Sequence, residues 1–171
     1  MHANQRNLSY PFPAFVKLTQ KIDHAEQVET TLTLPLQSRI KSRLRVTLDD
    51  GRDAGLFLPR GTTLKEGDLL ATDAGMVIRI RAADETLSIV ETNDPHLLSR
   101  ACYHLGNRHV SIQIEPGRIS YPHDHVLDEM LAGLGLQIVV AEAPFEPEPG
   151  AYGGSADQGR QHQGHLHAHH H

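Results

Sequence analysis

The chain has 171 residues, 39% hydrophobic and 22% charged, with 16 Lys and Arg against 21 Asp and Glu for a formal net charge of −5. That balance excludes a strongly basic nucleic-acid binder, the length suits one medium domain or two small ones, and no apolar run reaches the ~18 residues of a membrane span. The start, Met1 to Asn7, lacks the apolar stretch and cleavage site of a secretory signal, so a cytoplasmic protein is expected.

From Leu32 to Arg81 apolar residues recur at every second position: Leu32, Leu34 and Leu36, then Leu44, Val46 and Leu48, then Leu56 and Leu58, then Met76, Ile78 and Ile80. This is the pattern of short strands. Turn sequences separate them at Asp49-Asp50-Gly51, Pro59-Arg60-Gly61, Lys65-Glu66-Gly67-Asp68 and Asp73-Ala74-Gly75. Residues 1–83 are therefore expected to form a small all-β domain. Neither its Gly67-Asp68 step nor its basic edge at Arg79 and Arg81 offers catalytic geometry.

Beyond Asp84 the pattern changes. A strand over Leu87 to Val90 leads to Asn93-Asp94-Pro95, a helix N-cap with proline at the first helical position. Leu97, Leu98, Ala101, Cys102 and Leu105 share one helical face, and Gly106 is expected to supply the left-handed residue that ends the helix. Val110, Ile112 and Ile114 alternate as a strand, Pro116-Gly117 makes a type II turn, and Ile119 to Tyr121 returns. A second helix follows, with Asp124 as cap, Val126, Leu127, Met130, Leu131 and Leu134 on its apolar face and Gly135 as stop. Ile138, Val139 and Val140 then read as a buried closing strand. Strand, helix, strand, strand, helix, strand over residues 84–145 is the order of a ferredoxin-like α+β unit, with two helices on one face of a four-stranded antiparallel sheet. After Ala143, the Pro- and Gly-rich composition predicts a disordered tail over 146–171.

Histidine is the outlier: 13 in all, with His162, His165, His167, His169, His170 and His171 among the last ten residues. A purification tag is normally an unbroken block, whereas this tract is interrupted by Gln, Gly, Leu and Ala, a composition that binds metal in native chains. Cys102 is the single cysteine, so neither a disulfide framework nor a cysteine-based zinc cage is available. Imidazoles are the remaining donors.

His123 and His125, two apart in extended chain, could face one ion, though such a pair arises readily by chance and His125 also suits the first helical turn beside the Asp124 cap. His109 follows the first helix, at a corner where a lone histidine is usually structural; in a twofold dimer, however, it could meet its own mate. His104 reads as surface and Cys102 as core, while His24 and His96 have no identifiable partner. Asp124, Asp128 and Glu129 could orient imidazoles, but capping and solvating a helix N-terminus is the simpler reading. No His-Glu-x-x-His helix, Gly-x-Ser-x-Gly elbow or phosphate-binding glycine loop is present, and catalysis is not expected.

The block Gly106-Asn107-Arg108-His109, the run from Tyr121-Pro122-His123-Asp124-His125 through Met130, and the histidine-rich end together resemble the UreE family of urease accessory proteins, nickel metallochaperones. The resemblance spans roughly residues 10 to 150. It implies a cytoplasmic homodimer with an N-terminal peptide-binding-like β domain and a C-terminal ferredoxin-like metal-binding domain. It implies further that His109 is the principal Ni(II) ligand, shared between subunits at the dimer interface, whereas His123, His125 and tail histidines (here His165, His167, His169, His170 and His171, with His162 nearby) add ligands. Delivery to the urease apoprotein through the accessory GTPase complex follows from the same resemblance, with dimer or tetramer as the metal-loaded state.

Imidazole ligands do not by themselves separate Ni(II) from Zn(II) or Cu(II), so either is expected to substitute in vitro. Because only neutral imidazole binds, loading is expected to fail as the pH falls through about 6.5, where histidine titrates. Two rivals stand beside this reading. A histidine-tailed nickel or zinc buffer would work through its tail, and a peptide-binding assembly module for urease activation would work through its β domain.

Overall fold

The computed structural model describes residues 15–149. In its first half, β1 (Val16–Leu18), β2 (Gln20–Ile22), β3 (Thr30–Leu34), the short helix α1 (Leu36–Arg39), β4 (Arg43–Thr47), β5 (Asp53–Phe57), β6 (Leu69–Ala71) and β7 (Val77–Ala82) follow one another. They form a three-stranded sheet in the order β1-β5-β4 and a four-stranded sheet in the order β2-β6-β7-β3. Both sheets are mixed, because β1 runs parallel to β5 and β3 parallel to β7. The alternation visible in the sequence is what closes them on each other. In β7, Ile78, Ile80 and Ala82 point inward while Arg79 and Arg81 are exposed. Leu18, Leu32, Leu34, Val46, Leu56 and Leu70 complete one core drawn from both sheets.

Three strands, β1, β2 and β6, have no sequence signature, since each is three residues long and too short to show a period. Leu36 also departs from expectation. It opens α1 instead of continuing a strand, because the Pro35 carbonyl accepts from Ser38 and Arg39 N–H and the Leu36 N–H donates to Glu85 Oε1 at 2.7 Å.

The second half runs β8 (Asp84–Glu91), α2 (Pro95–Gly106), β9 (Gln113–Glu115), β10 (Arg118–Pro122), α3 (His125–Gly133) and β11 (Ile138–Pro144). Its sheet order, β11-β8-β10-β9, is antiparallel throughout, as the ferredoxin-like reading requires. Leu105, Leu131 and Ala101 from the helices pack on Val90, Ile119 and Tyr121 of the sheet. Pro116-Gly117 is the two-residue turn between β9 and β10, and Gly117 has φ 74°, the positive value a type II turn needs at its third position.

Two expectations fail here for tertiary reasons. β11 is an edge strand, not a buried one: Val139 is 62% exposed and Val140 48%. Order also extends past Ala143, because Phe145 is fully buried against Leu87 and Ile89 with Leu36 beside it. The segment after β11 then crosses back, with Glu146 N–H donating to Gln113 Oε1 at 2.8 Å and Glu148 N–H to the Ile112 carbonyl at 2.8 Å.

This crossing segment ties the halves together through Arg39, which is 1% exposed. Its guanidinium donates to the Leu34 carbonyl at 3.1 Å, the Leu64 carbonyl at 3.2 Å, the Phe145 carbonyl, and Glu146 Oε1 at 2.6 Å. A buried charge persists only when so satisfied. The same Glu146 oxygen accepts from Glu66 N–H at 2.9 Å.

Candidate metal centre

His109 sits at the exit of α2. That helix does not stop with a left-handed Gly106. Gly106 is helical, and the non-glycine residue with positive φ is His109, at φ 56°. The hydrogen bonds explain why. His109 N–H donates to the Gly106 carbonyl at 2.9 Å and Val110 N–H to the Leu105 carbonyl at 3.2 Å, the paired closure of a Schellman turn with His109 in the left-handed position. Val110 also packs into the apolar cluster that holds Leu105, the contact that accompanies this turn. The predicted strand consequently begins late: β9 starts at Gln113, after Val110 has completed the helix cap. His109 itself is exposed.

A non-glycine residue in this region is uncommon, and held backbone strain of this kind clusters at functional positions. The outlier thus falls on the one candidate ligand of the Gly106 to His109 block.

The His123 and His125 pair is split by the fold. Asp124 caps α3 as expected, its side chain accepting from Val126 N–H at 2.8 Å and Leu127 N–H at 3.3 Å, so His125 becomes the first residue of the helix. His123 stays in the approach to that helix, its N–H donating to the Thr86 carbonyl at 3.0 Å. Its Nδ1 lies 3.1 Å from Asp128 Oδ2 and 3.0 Å from the hydroxyl oxygen of the fully buried Ser88. Tyr121, also fully buried, donates its hydroxyl to Asp128 Oδ1 at 2.6 Å. Burial, and then the hydrogen bond and charge of Asp128, push the Tyr121 hydroxyl well above its usual range, so it remains a donor.

Asp128 therefore does more than solvate the start of α3, the simpler reading of the sequence. The other members of the network are Tyr121, bonded to Asp128, and Ser88, bonded to His123. Their only sequence signal is a polar serine within the apolar run Leu87 to Val90, paired in register with Tyr121. His125 is exposed and takes no part in this network, and Glu129 is exposed as well.

Among the described residues no three His, Cys, Asp or Glu side chains are grouped to hold one ion. Burial pushes the Cys102 thiol up, as suits a residue packed against the core of the second half. His162, His165, His167, His169, His170 and His171 lie outside the described residues. Among the described residues, no helix is long and apolar enough to cross a membrane.

Comparison with known proteins covers both halves. The family profile of the UreE urease accessory protein N-terminal domain matches residues 15–83, and that of its C-terminal domain matches residues 85–171. The urease accessory protein UreE of Pseudomonas putida (strain W619) is 60% identical over 138 residues, 80% of this chain and 86% of the relative. That of Enterobacter sp. (strain 638) is 56% identical over 138 residues, 80% of this chain and 91% of the relative. That of Proteus mirabilis (strain HI4320) is 55% identical over 147 residues, 81% of this chain and 91% of the relative. With a two-domain match along the described chain and relatives of this identity, the protein belongs to the UreE family of urease accessory proteins.

Proposed function

We propose that the chain is a cytoplasmic nickel metallochaperone that binds Ni(II) as cargo at His109, shared between the subunits of a homodimer, and delivers it to the urease apoprotein with the accessory GTPase complex. The observation that carries this reading is His109 itself, an exposed imidazole held in a strained left-handed conformation. Family membership supplies the setting, since urease accessory proteins of this name are its relatives.

The chemistry fits the cargo. Imidazole nitrogen suits Ni(II), and also Zn(II) and Cu(II), which would substitute in a test tube. With no three-ligand group among the described residues, the co-ligands of His109 come from a second copy of the chain and from the tail histidines His165, His167, His169, His170 and His171. A twofold axis near His109 brings two imidazoles to one ion, and tail imidazoles fill the remaining positions. Such a site is partly open, so an incoming partner's ligands can displace the tail stepwise. His123 and His125 would hold further metal outside the shared site, and metal loading has a dimer or a tetramer as its end state.

Equilibrium dialysis against nickel, with mass by light scattering, tests this on the full chain, on His109→Ala and on a chain ending at Gly154. The expected result is about one tight nickel per two chains in the first and third, lost on His109→Ala with the dimer intact. Tight binding that leaves entirely with the tail would make the protein a histidine-tailed buffer. Tight binding that survives His109→Ala in the truncated dimer would remove His109 from the site.

A further inference from the structure

The two histidines of the His123-Asp124-His125 run are treated differently by the fold, and one of them is supported from behind. His123 Nδ1 faces Asp128 Oδ2 at 3.1 Å. A carboxylate offers only lone pairs, so its place beside Nδ1 favours the proton on that nitrogen. The Ser88 hydroxyl, 3.0 Å away, is the hydrogen-bond partner of the same nitrogen and accepts when the proton is there. Asp128 is fixed in its turn, since its other oxygen accepts from the Tyr121 hydroxyl at 2.6 Å. Ser88 and Tyr121 are fully buried and paired in register on neighbouring strands β8 and β10, so the support is part of the sheet. The Asp128 side chain is 18% exposed and that of His123 39%, so the pair lies at the rim, carboxylate inward and imidazole outward.

We infer that Asp128, held by Tyr121, is a positioning residue that locks His123 as the Nδ1–H tautomer and presents its bare Nε2 for metal, making His123 the prepared ligand of the run and His125 an accessory one. This rests on the reading of His123 as a ligand. A metal-bound histidine whose other nitrogen donates to a carboxylate is fixed in tautomer and ring orientation and made more basic, and loss of such support typically lowers metal affinity by about 10- to 100-fold. Asp128→Asn keeps the shape but leaves a single acceptor oxygen. With that oxygen on the Tyr121 hydroxyl, the amide NH₂ faces Nδ1 and donates to it, which forces the proton to Nε2, the atom metal requires.

The test uses the full-length ¹⁵N-labelled protein, first metal-free, then titrated with Zn(II), a diamagnetic probe that reports on each imidazole separately. In wild type the His123 spectrum should show a protonated Nδ1 and a bare Nε2, and zinc should shift that Nε2. In Asp128→Asn the tautomer should reverse, and half-saturation of His123 should move to roughly 10- to 100-fold higher zinc, with the His109 signals unchanged. Tyr121→Phe, which keeps the carboxylate, should keep the tautomer. A wild-type His123 protonated on Nε2 overturns the inference, and so does an Asp128→Asn protein with unchanged tautomer and half-saturation. If zinc leaves the wild-type Nε2 unshifted, the reading of His123 as a ligand falls, and the inference with it.

Discussion

α2 and α3 leave the sheet by the same turn and close it with different residues. In α3 the Gly135 N–H donates to the Ala132 carbonyl at 2.9 Å and the Leu136 N–H to the Leu131 carbonyl at 3.2 Å, with Gly135 at φ 92°. In α2 the corresponding bonds are 2.9 Å and 3.2 Å, and the left-handed residue is His109. The leucines that accept the longer bond, Leu105 and Leu131, are both 0% exposed. Packing and hydrogen bonding thus fix the geometry of the exit twice over, and glycine is the residue that geometry favours. One helix has it and the other carries an exposed imidazole. The fold explains the turn at His109 but not the histidine, and the proposed metal site does.

The largest test of this equivalence is on the buried side. Leu105→Ala and Leu131→Ala should each cost about 3 kcal/mol, the ordinary penalty for emptying a fully buried leucine site, read as parallel shifts in urea midpoint. A cost at one helix only would mean that the two turns are not built alike.

The glycines give the next effect, and its sign differs between them. Both Gly106 and Gly135 have open space where a Cβ would stand, so conformation alone decides. Gly106 is helical, and Gly106→Ala should stabilise by about 0.5–1 kcal/mol because alanine loses less freedom on folding. Gly135→Ala should destabilise by about 1 kcal/mol, since a Cβ is disfavoured at positive φ. Thermal unfolding of the two proteins separates them. Destabilisation by Gly106→Ala would return the left-handed residue to Gly106.

How much of this the sequence discloses depends on the reach of each interaction. The caps at Asp94 and Asp124 are legible because an N-cap bonds two or three residues along the chain, and both side chains do so here. The βαββαβ order is legible because strand and helix periods differ. The end of α2 is not, because Gly106 is the obvious stop, and only the pairing of Val110 with Leu105 carries the turn three residues further. The burial of Arg39 and Phe145 is invisible for a related reason, as Arg39 meets Glu146 across the domain boundary and Phe145 packs on Leu87 and Ile89 of β8, far back along the chain. At the candidate site, His109, His123 and His125 announce themselves by residue type. What distinguishes His123 from His125 is the Asp128 carboxylate beside its Nδ1, fixed by Tyr121, together with Ser88, 35 residues away on β8.

The smallest effect is the most telling. His109→Gly removes a Cβ from a left-handed position, a relief of about 1–2 kcal/mol, while glycine's extra freedom in the unfolded chain returns about 0.5–1 kcal/mol of it. Histidine is one of the better-tolerated side chains there, so the net gain should be about 0.5 kcal/mol, with Gly135→His losing a similar amount as the mirror control. A gain in stability accompanied by loss of tight nickel would show that histidine is retained at φ 56° against the preference of the fold, as a ligand must be and a structural corner residue need not be. If His109→Gly instead destabilises the protein, the imidazole has a packing role, and the strain at the end of α2 no longer argues for metal.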